Sequence, residues 1–340
     1  MDLINSSDYQ LNVSTLVRNS SHSPAPASKM IIVILLFTSS VIGIITNGLY
    51  LWILKFKMKK TVNTLLFFHF ILSHFISTSI VPFITISFLQ DNHWSFGTAM
   101  CKVFNSILYT GLFASVFFLS AISVDRYILT VHPVWSQQHR TPRWASNIIL
   151  GVWIFAAALS MPYSFFKEMH DDHKGGVTCQ NYYDVSTNRE SKKLQALKKW
   201  IHIACFTSRF LLNFLLPFFI ITFCYVKVAN KMKKRSLFKS NKPFKVMTAA
   251  IISFFVCWMP YHVYQGLLLT DNKSLLLQLT MILAVITTSF NIVFSPTLYL
   301  FVGENFKKVI KKSILALFES TYNEDPSPER TQNLNLQDYI

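Results

Sequence analysis

Charged residues are in short supply. Asp, Glu, Lys and Arg make up 14% of the 340 residues, against about a quarter in an ordinary soluble domain. Glycine is sparse too, at 9 residues, which argues against a transporter or channel built on close contacts between small side chains. Bulk fills the space instead: 51% of the chain is hydrophobic, 15% is aromatic, and 31 residues are Phe. These shortages exclude a typical soluble domain and point to lipid as the solvent. Acidic residues are the rarer sign, 16 against 32 basic ones, for a net charge of +16. The basic residues fall in short clusters between apolar runs. No basic domain tracks a phosphate backbone, so no nucleic acid is expected as a partner.

The five cysteines are Cys101, Cys179, Cys205, Cys224 and Cys257. The last three lie inside apolar runs, where a reduced packing role is usual. Cys101 and Cys179 stand at loop boundaries, and one disulfide on the oxidising side of a membrane is the natural expectation.

Seven stretches reach the roughly 20 residues that cross the hydrocarbon as a helix. They are Met30–Phe56, Val62–Leu89, Thr98–Val131, Trp144–Phe166, Trp200–Lys231, Phe244–Thr270 and Leu275–Phe301. The expected fold is therefore all-α: a seven-transmembrane helix bundle with a short amphipathic eighth helix. Its parts are a glycosylated N-terminal tail (1–29), the seven-span domain (30–301), a membrane-surface helix (302–318) and a disordered cytoplasmic tail (319–340). Pro82, Pro162, Pro217, Pro260 and Pro296 fall within spans, where membrane bundles tolerate them as kinks.

The ends set the orientation. The first 29 residues are polar, show no signal-peptide pattern, and hold sequons at Asn5, Asn12 and Asn19. A fourth sequon at Asn272 falls on the same side of a seven-span chain. The opposite side carries 20 of the 32 basic residues against 7 acidic ones, which marks it as cytoplasmic. The N-terminus is expected outside and the chain multi-pass in the plasma membrane. Glu304–Phe318 alternates Val309, Ile310, Ile314, Leu315, Leu317 and Phe318 with lysine pairs, a pattern suited to the inner lipid surface. No cysteine follows Cys257, so a palmitoyl anchor there is excluded. Ser320, Thr321, Ser327 and Thr331 near acidic residues in the tail are candidates for kinases and arrestin recruitment, though isolated Ser and Thr in such tails are mostly unmodified.

Other functions of a membrane bundle fit poorly. A retinal-binding protein needs a Lys in the last span, and Leu275–Phe301 has none. An intramembrane enzyme needs paired Asp or His/Glu metal ligands; His69 and His74 are five apart and lack a carboxylate partner. No repeated halves suggest a transporter. The chain is read as no enzyme, with no cofactor and no metal.

One short motif stands in each of several spans. Asp125-Arg126-Tyr127 closes the third span at its cytoplasmic face, where an Asp beside an Arg can pair charges and hold the helix end shut. A lone interfacial Arg that snorkels to the headgroups is the plainer reading of that triplet. Cys257-Trp258-Met259-Pro260 sets a bulky ring near a proline kink in the sixth span. Ser295-Pro296-Thr297-Leu298-Tyr299 ends the seventh with a kink and a phenol. Asn47, Trp153, and Pro217 with Tyr225 complete the set in spans one, four and five.

Together these residues resemble the rhodopsin-like (class A) G-protein-coupled receptors over essentially the whole chain. The loop His132-Pro133-Val134-Trp135-Ser136-Gln137-Gln138-His139-Arg140-Thr141 is similar to the second inner loop of chemoattractant receptors, the formyl peptide group in particular. Trp94-Ser95-Phe96-Gly97 and Phe301-Val302-Gly303-Glu304-Asn305-Phe306 look the same way. The resemblance implies a Cys101–Cys179 disulfide and Arg126 as the G-protein switch, with Asp125 and Tyr127 beside it. It also implies Trp258 as a toggle under the ligand, next to the Pro260 kink, and Tyr225 and Tyr299 as inner partners of Arg126. An agonist would select a state with helix six swung outward, and the opened cavity would accept a G-protein helix. The implied partners are an extracellular peptide or anionic ligand, a heterotrimeric G protein of the inhibitory class, arrestin, receptor kinases and membrane lipid. A scavenger or decoy of the same fold, binding without signalling, is the rival reading.

Two departures from the family bear on control. His74 stands where the family carries a buried sodium-binding Asp, and Ser295 where span seven usually has Asn or Asp. Ser115 and Asn291 remain, but an imidazole cannot act as an anionic sodium ligand. His74 is either a neutral, hydrogen-bonded core residue or the mark of lost sodium control with altered basal activity.

The candidate ligand site centres on Arg209, inside the apolar run Phe206–Phe219. Intramembrane charge usually faces a cavity or a partner; internal pairing or snorkelling is the structural alternative. Chemoattractant receptors resembling this chain carry a basic residue there. Asn105, Tyr109, Phe113, Tyr261, His262 and Gln265 would line the same cavity by helical spacing. Tyr109 stands where formyl peptide receptors carry an acid, so a bare carboxylate fits better than a formyl peptide. The second outer loop, roughly Lys167 to Lys199, is expected to form a hairpin lid, with Lys192, Lys193, Lys198 and Lys199 steering an acidic ligand or simply forming a solvated face.

Overall fold

The computed structural model describes residues 26–165, 167–171, 176–181, 192–234, 242–269 and 275–300. The helices are α1 (Pro26–Phe56), α2 (Val62–Leu89), α3 (Gly97–Val131), α4 (Pro133–His139), α5 (Pro142–Phe165), α6 (Lys192–Phe210), α7 (Leu216–Lys234), α8 (Lys242–Leu267) and α9 (Leu275–Leu300). A π-helical turn, Leu211–Leu215, joins α6 to α7 into one continuous fifth span. The described residues thus contain the seven long helices expected, packed as a bundle. Six are long and apolar enough over their described residues to cross a membrane, and α8 is the remaining span. The four sequons, the surface helix after span seven and the tail lie outside the described residues.

The bundle is built for lipid. Its large fully buried side chains include Phe70, Phe113, Phe118 and Phe254, while Ile45, Leu150, Ile154, Phe219 and Val256 face outward. Buried positions also hold Ser73, Thr78, Ser115, Ser123 and Asn291. Polar inside and apolar outside is the distribution a hydrocarbon solvent selects. Hydroxyls in the spans are satisfied locally: Ser73 donates to Phe70 O at 2.7 Å, Thr78 to His74 O at 2.7 Å and Ser120 to Val116 O at 3.0 Å. Such back-bonding settles a hydroxyl where water is absent. Spans two and three approach so closely at Gly111 that a Cβ there would meet Ser73 O at 2.8 Å and collide with Ser77 Oγ.

Local chemistry sets the helix ends. Thr61 and Thr64 form a reciprocal capping box at the start of α2, with bonds of 3.2 and 2.7 Å. Asp91 and Asn92 adopt positive φ in the first outer turn, a conformation these short polar residues tolerate. Beyond them Trp94 N donates to Val177 O at 2.7 Å. Val177 begins strand β2 (Val177–Asn181), which pairs antiparallel with β1 (Lys167–Asp171), Met169 opposite Cys179. The second outer loop is therefore a hairpin, but it is shorter than expected. Lys192–Lys199 belongs to α6, because a Lys-, Leu-, Ala- and Gln-rich segment continues the helix readily beyond the apolar run.

Candidate functional site

At the outer end, α3 and the hairpin are joined by a disulfide between Cys101 and Cys179, with Cα atoms 5.8 Å apart. Inside this closure lies Arg209, 6% exposed. Its Nη2 donates to Gln265 Oε1 at 2.9 Å and its Nη1 to Tyr109 OH at a long 3.4 Å. The guanidinium lies 5.4, 5.6 and 5.9 Å from the ring centres of Tyr261, Tyr163 and Tyr109. Its buried Nε has no hydrogen-bond partner among the described residues. Among the described residues no acidic side chain pairs with it; the ion pairs there are Lys29–Asp91, Lys102–Glu168 and Arg140–Asp125. Among the described residues the internal-pairing alternative is thus met only by neutral groups. A guanidinium held by phenols, an amide and aromatic faces is oriented but keeps its charge uncompensated.

The expected lining divides. Tyr109, Tyr261 and Gln265 converge on Arg209. Asn105 turns back to Cys101 O at 2.8 Å and to Cys179 Sγ at 3.8 Å, serving the disulfide. Phe113 packs against Phe117 and Tyr163 one layer below. His262 inserts between Phe210 and Phe214, 5.6 and 4.7 Å between ring centres. Helical spacing alone does not separate these layers, because residues one turn apart share a face but differ in depth. Below Tyr261, Trp258 meets it edge-on at 5.6 Å and Phe254 at 6.0 Å. A line of rings therefore runs from the Arg209 cluster along α8 toward the opposite end of the bundle.

At the inner end the expected Asp125–Arg126 pairing is not what forms. Asp125, 1% exposed, accepts two bonds from Arg140 at the end of α4: Nε to Oδ1 at 2.6 Å and Nη2 to Oδ2 at 3.0 Å. Arg126 instead donates Nη2 to Asn63 Oδ1 at 2.6 Å. Adjacent residues on a helix point in different directions, so Asp125 faces the loop and Arg126 faces α2. The Arg126 charge reaches the Tyr225 phenol. Tyr127 hydrogen-bonds with His132 Nε2 at 3.2 Å. The side chains of Ser295, Pro296 and Tyr299 lie outside the described ones.

A family model described as 7 transmembrane receptor (rhodopsin family) matches residues 46–299. The chain belongs to the rhodopsin family of receptors. It is 75% identical over 332 residues to the probable G-protein coupled receptor 33 of Pan troglodytes, covering 98% of this chain and 100% of that protein. It is 64% identical over 340 residues, the whole of both chains, to the protein of the same name in Rattus rattus. Chemerin-like receptor 1 of Mus musculus is 37% identical over 294 residues, 84% of this chain and 79% of that one.

In this receptor of the rhodopsin family, the altered mid-membrane position is built without a carboxylate among its described side chains. His74 is buried against Phe70, 4.8 Å between ring centres, and among the described residues its Nε2 has no hydrogen-bond partner. Ser115 donates to Leu112 O in its own helix at 2.9 Å, and Asn291 shares a hydrogen bond with Cys257. Both amide atoms of Asn47 are also buried without partners among the described residues.

Three residues of these sites were not singled out as site residues by sequence reasoning. Tyr163 stacks on Tyr109 at 4.4 Å and donates to Cys205 O at 2.6 Å; its one signal is that it follows Pro162. Arg140 lies inside the inner-loop motif but reads there as one more cytoplasmic charge. Asn63 carries no signal.

Proposed function

We propose that this chain is a chemoattractant-type receptor that takes an extracellular peptide or anionic small molecule and activates a G protein of the inhibitory class through outward movement of helix six. The observation that carries the reading is Arg209. A buried cation with only neutral partners is costly in a membrane, and a carboxylate entering from outside would form the bidentate, charge-assisted contact that the protein itself withholds. Relatedness to chemerin-like receptor 1 supports an extracellular ligand. The ring series from Tyr261 through Trp258 to Phe254 gives ligand contact a direct packing route toward the segment proposed to move. Arg126, buried and on one neutral contact, suits a switch that exchanges partners. The N-terminus is taken as extracellular, with Asn5, Asn12, Asn19 and Asn272 as glycosylation sites, and arrestin and receptor kinases are expected at the tail.

The test is inhibitory G-protein activation in cells expressing the chain, unstimulated and with leukocyte-derived peptide and lipid fractions. A toxin-sensitive response that disappears in Arg126→Ala at matched surface level is expected. Loss in Arg209→Ala of the response to acidic fractions would locate the ligand; a normal response there would remove Arg209 from the site.

A further inference from the structure

Two arginines lie close to one buried carboxylate, and the one fifteen residues away in sequence holds it. Both oxygens of Asp125 are taken by Arg140, at 2.6 and 3.0 Å. Arg126 stands next to Asp125 in the chain, yet hydrogen-bonds to Asn63 Oδ1 instead, and its Nε has no partner among the described residues. Arg140 is delivered by α4. Its backbone N–H donates to Ser136 O at 3.1 Å, Ser136 N donates to His132 O at 3.0 Å, and Ser136 is buried against the bundle. The short helix therefore sets the guanidinium at the end of span three.

A carboxylate this deeply buried does not stay without a cation, since leaving it unpaired costs more than any rearrangement of a neighbouring side chain. If Arg140 is removed, the nearest replacement is Arg126. Its new contact would be charged rather than neutral, and harder for an entering partner to displace. We propose that Arg140 is a positioning residue for coupling: by occupying Asp125, it leaves Arg126 hydrogen-bonded to a neutral amide, so the second inner loop sets the readiness of the switch. The proposal rests on the reading that this chain couples to a G protein.

The test uses membranes holding the full chain at matched receptor density, with guanine-nucleotide exchange measured on a purified inhibitory heterotrimer and no added ligand. Arg140→Ala is expected to lower exchange roughly tenfold, and Arg140→Lys, which keeps one contact, less. Adding Asp125→Asn to Arg140→Ala removes the competing carboxylate and should restore exchange to at least the starting level. A merely structural role for Arg140 predicts no such rescue. A nitroxide at the exposed position Gln137→Cys, in a Cys205→Ser background, should become more mobile in Arg140→Ala, showing that α4 has lost its anchor. An active starting receptor whose Arg140→Ala form is equally or more active, or is not rescued by Asp125→Asn, overturns the proposal alone. No exchange in any form, the unmodified chain included, both without ligand and with the peptide and lipid fractions added, overturns the coupling reading and the proposal with it.

Discussion

The two membrane faces of this molecule each present a buried arginine, and the two reach the same condition by different routes. Arg209, near the outer face, has no acid among its described neighbours; its partners are the rings of three tyrosines, one of which also accepts a hydrogen bond, and the Gln265 amide. Arg126, near the inner face, has an acid beside it that another arginine has taken. In both, a guanidinium with five donors uses few of them and leaves Nε unpartnered. The outer site withholds an anion by composition, the inner by competition. That difference has consequences. An anion can enter the outer site without displacing any charge, so the site is suited to select charge. The inner site can be tuned by moving a loop, so it is suited to control.

The largest effects are expected on removing each arginine in turn. Arg126→Ala is expected to abolish nucleotide exchange while ligand affinity, measured on intact cells, stays within about twofold. Arg209→Ala should act in the opposite sense and reduce affinity for an acidic ligand by about 100-fold or more, on the order of 3 kcal/mol for loss of a desolvated charge contact. If both substitutions alter binding alone, the inner arginine is no switch and the decoy reading gains.

A milder substitution sharpens the outer half. Arg209→Lys keeps the charge but not the planar fork. Affinity for a carboxylate ligand should fall by about tenfold, one hydrogen bond's worth of roughly 1.4 kcal/mol. Equal affinity in a competition assay would mean that the site reads charge without geometry. Smaller again is Tyr163→Phe. It keeps the ring under Arg209 and against Tyr109 but removes the bond to Cys205 O, loosening α5 against the fifth span. A potency loss of about fivefold is expected, near 1 kcal/mol; Tyr163→Ala, losing the ring as well, should exceed it in the same dose-response series.

How much of this was readable beforehand follows from what each feature depends on. The spans follow from hydropathy and length, which act locally, so α1 to α3 begin and end within a few residues of expectation. The upper part of α6 was missed because charged lysines outside the membrane look like loop in a hydropathy reading yet are good helix formers. Arg209 was legible because a charge inside an apolar run is conspicuous, and Tyr109, Tyr261 and Gln265 followed by spacing. Tyr163 was not, since a tyrosine after a proline in an aromatic-rich chain has nothing to mark it. The exchange of partners at Asp125 was the least accessible, because it depends on where a seven-residue loop helix sets one guanidinium. Proximity in sequence suggested Arg126; the direction of the side chains decided for Arg140.

Between the two arginines lies the position that would separate them least. His74 is buried with Nε2 unpartnered, Ser115 is turned into its own helix and Asn291 is engaged with Cys257. Sodium is a hard cation that seeks carboxylate and carbonyl oxygens, and none of these three side chains supplies an anionic one. Agonist affinity is therefore expected to be the same, within about twofold, in sodium and in potassium at equal ionic strength. Equal ionic strength matters because an acidic ligand steered by the outer lysines would respond to salt of any kind. A clear sodium-specific drop in affinity would show that a cation still links the outer and inner sites, and that backbone carbonyls or Asn47 hold it in place of the missing carboxylate. Absence of the effect leaves the packing of rings along α8 as the physical link between Arg209 and the inner face, which Trp258→Ala would then interrupt.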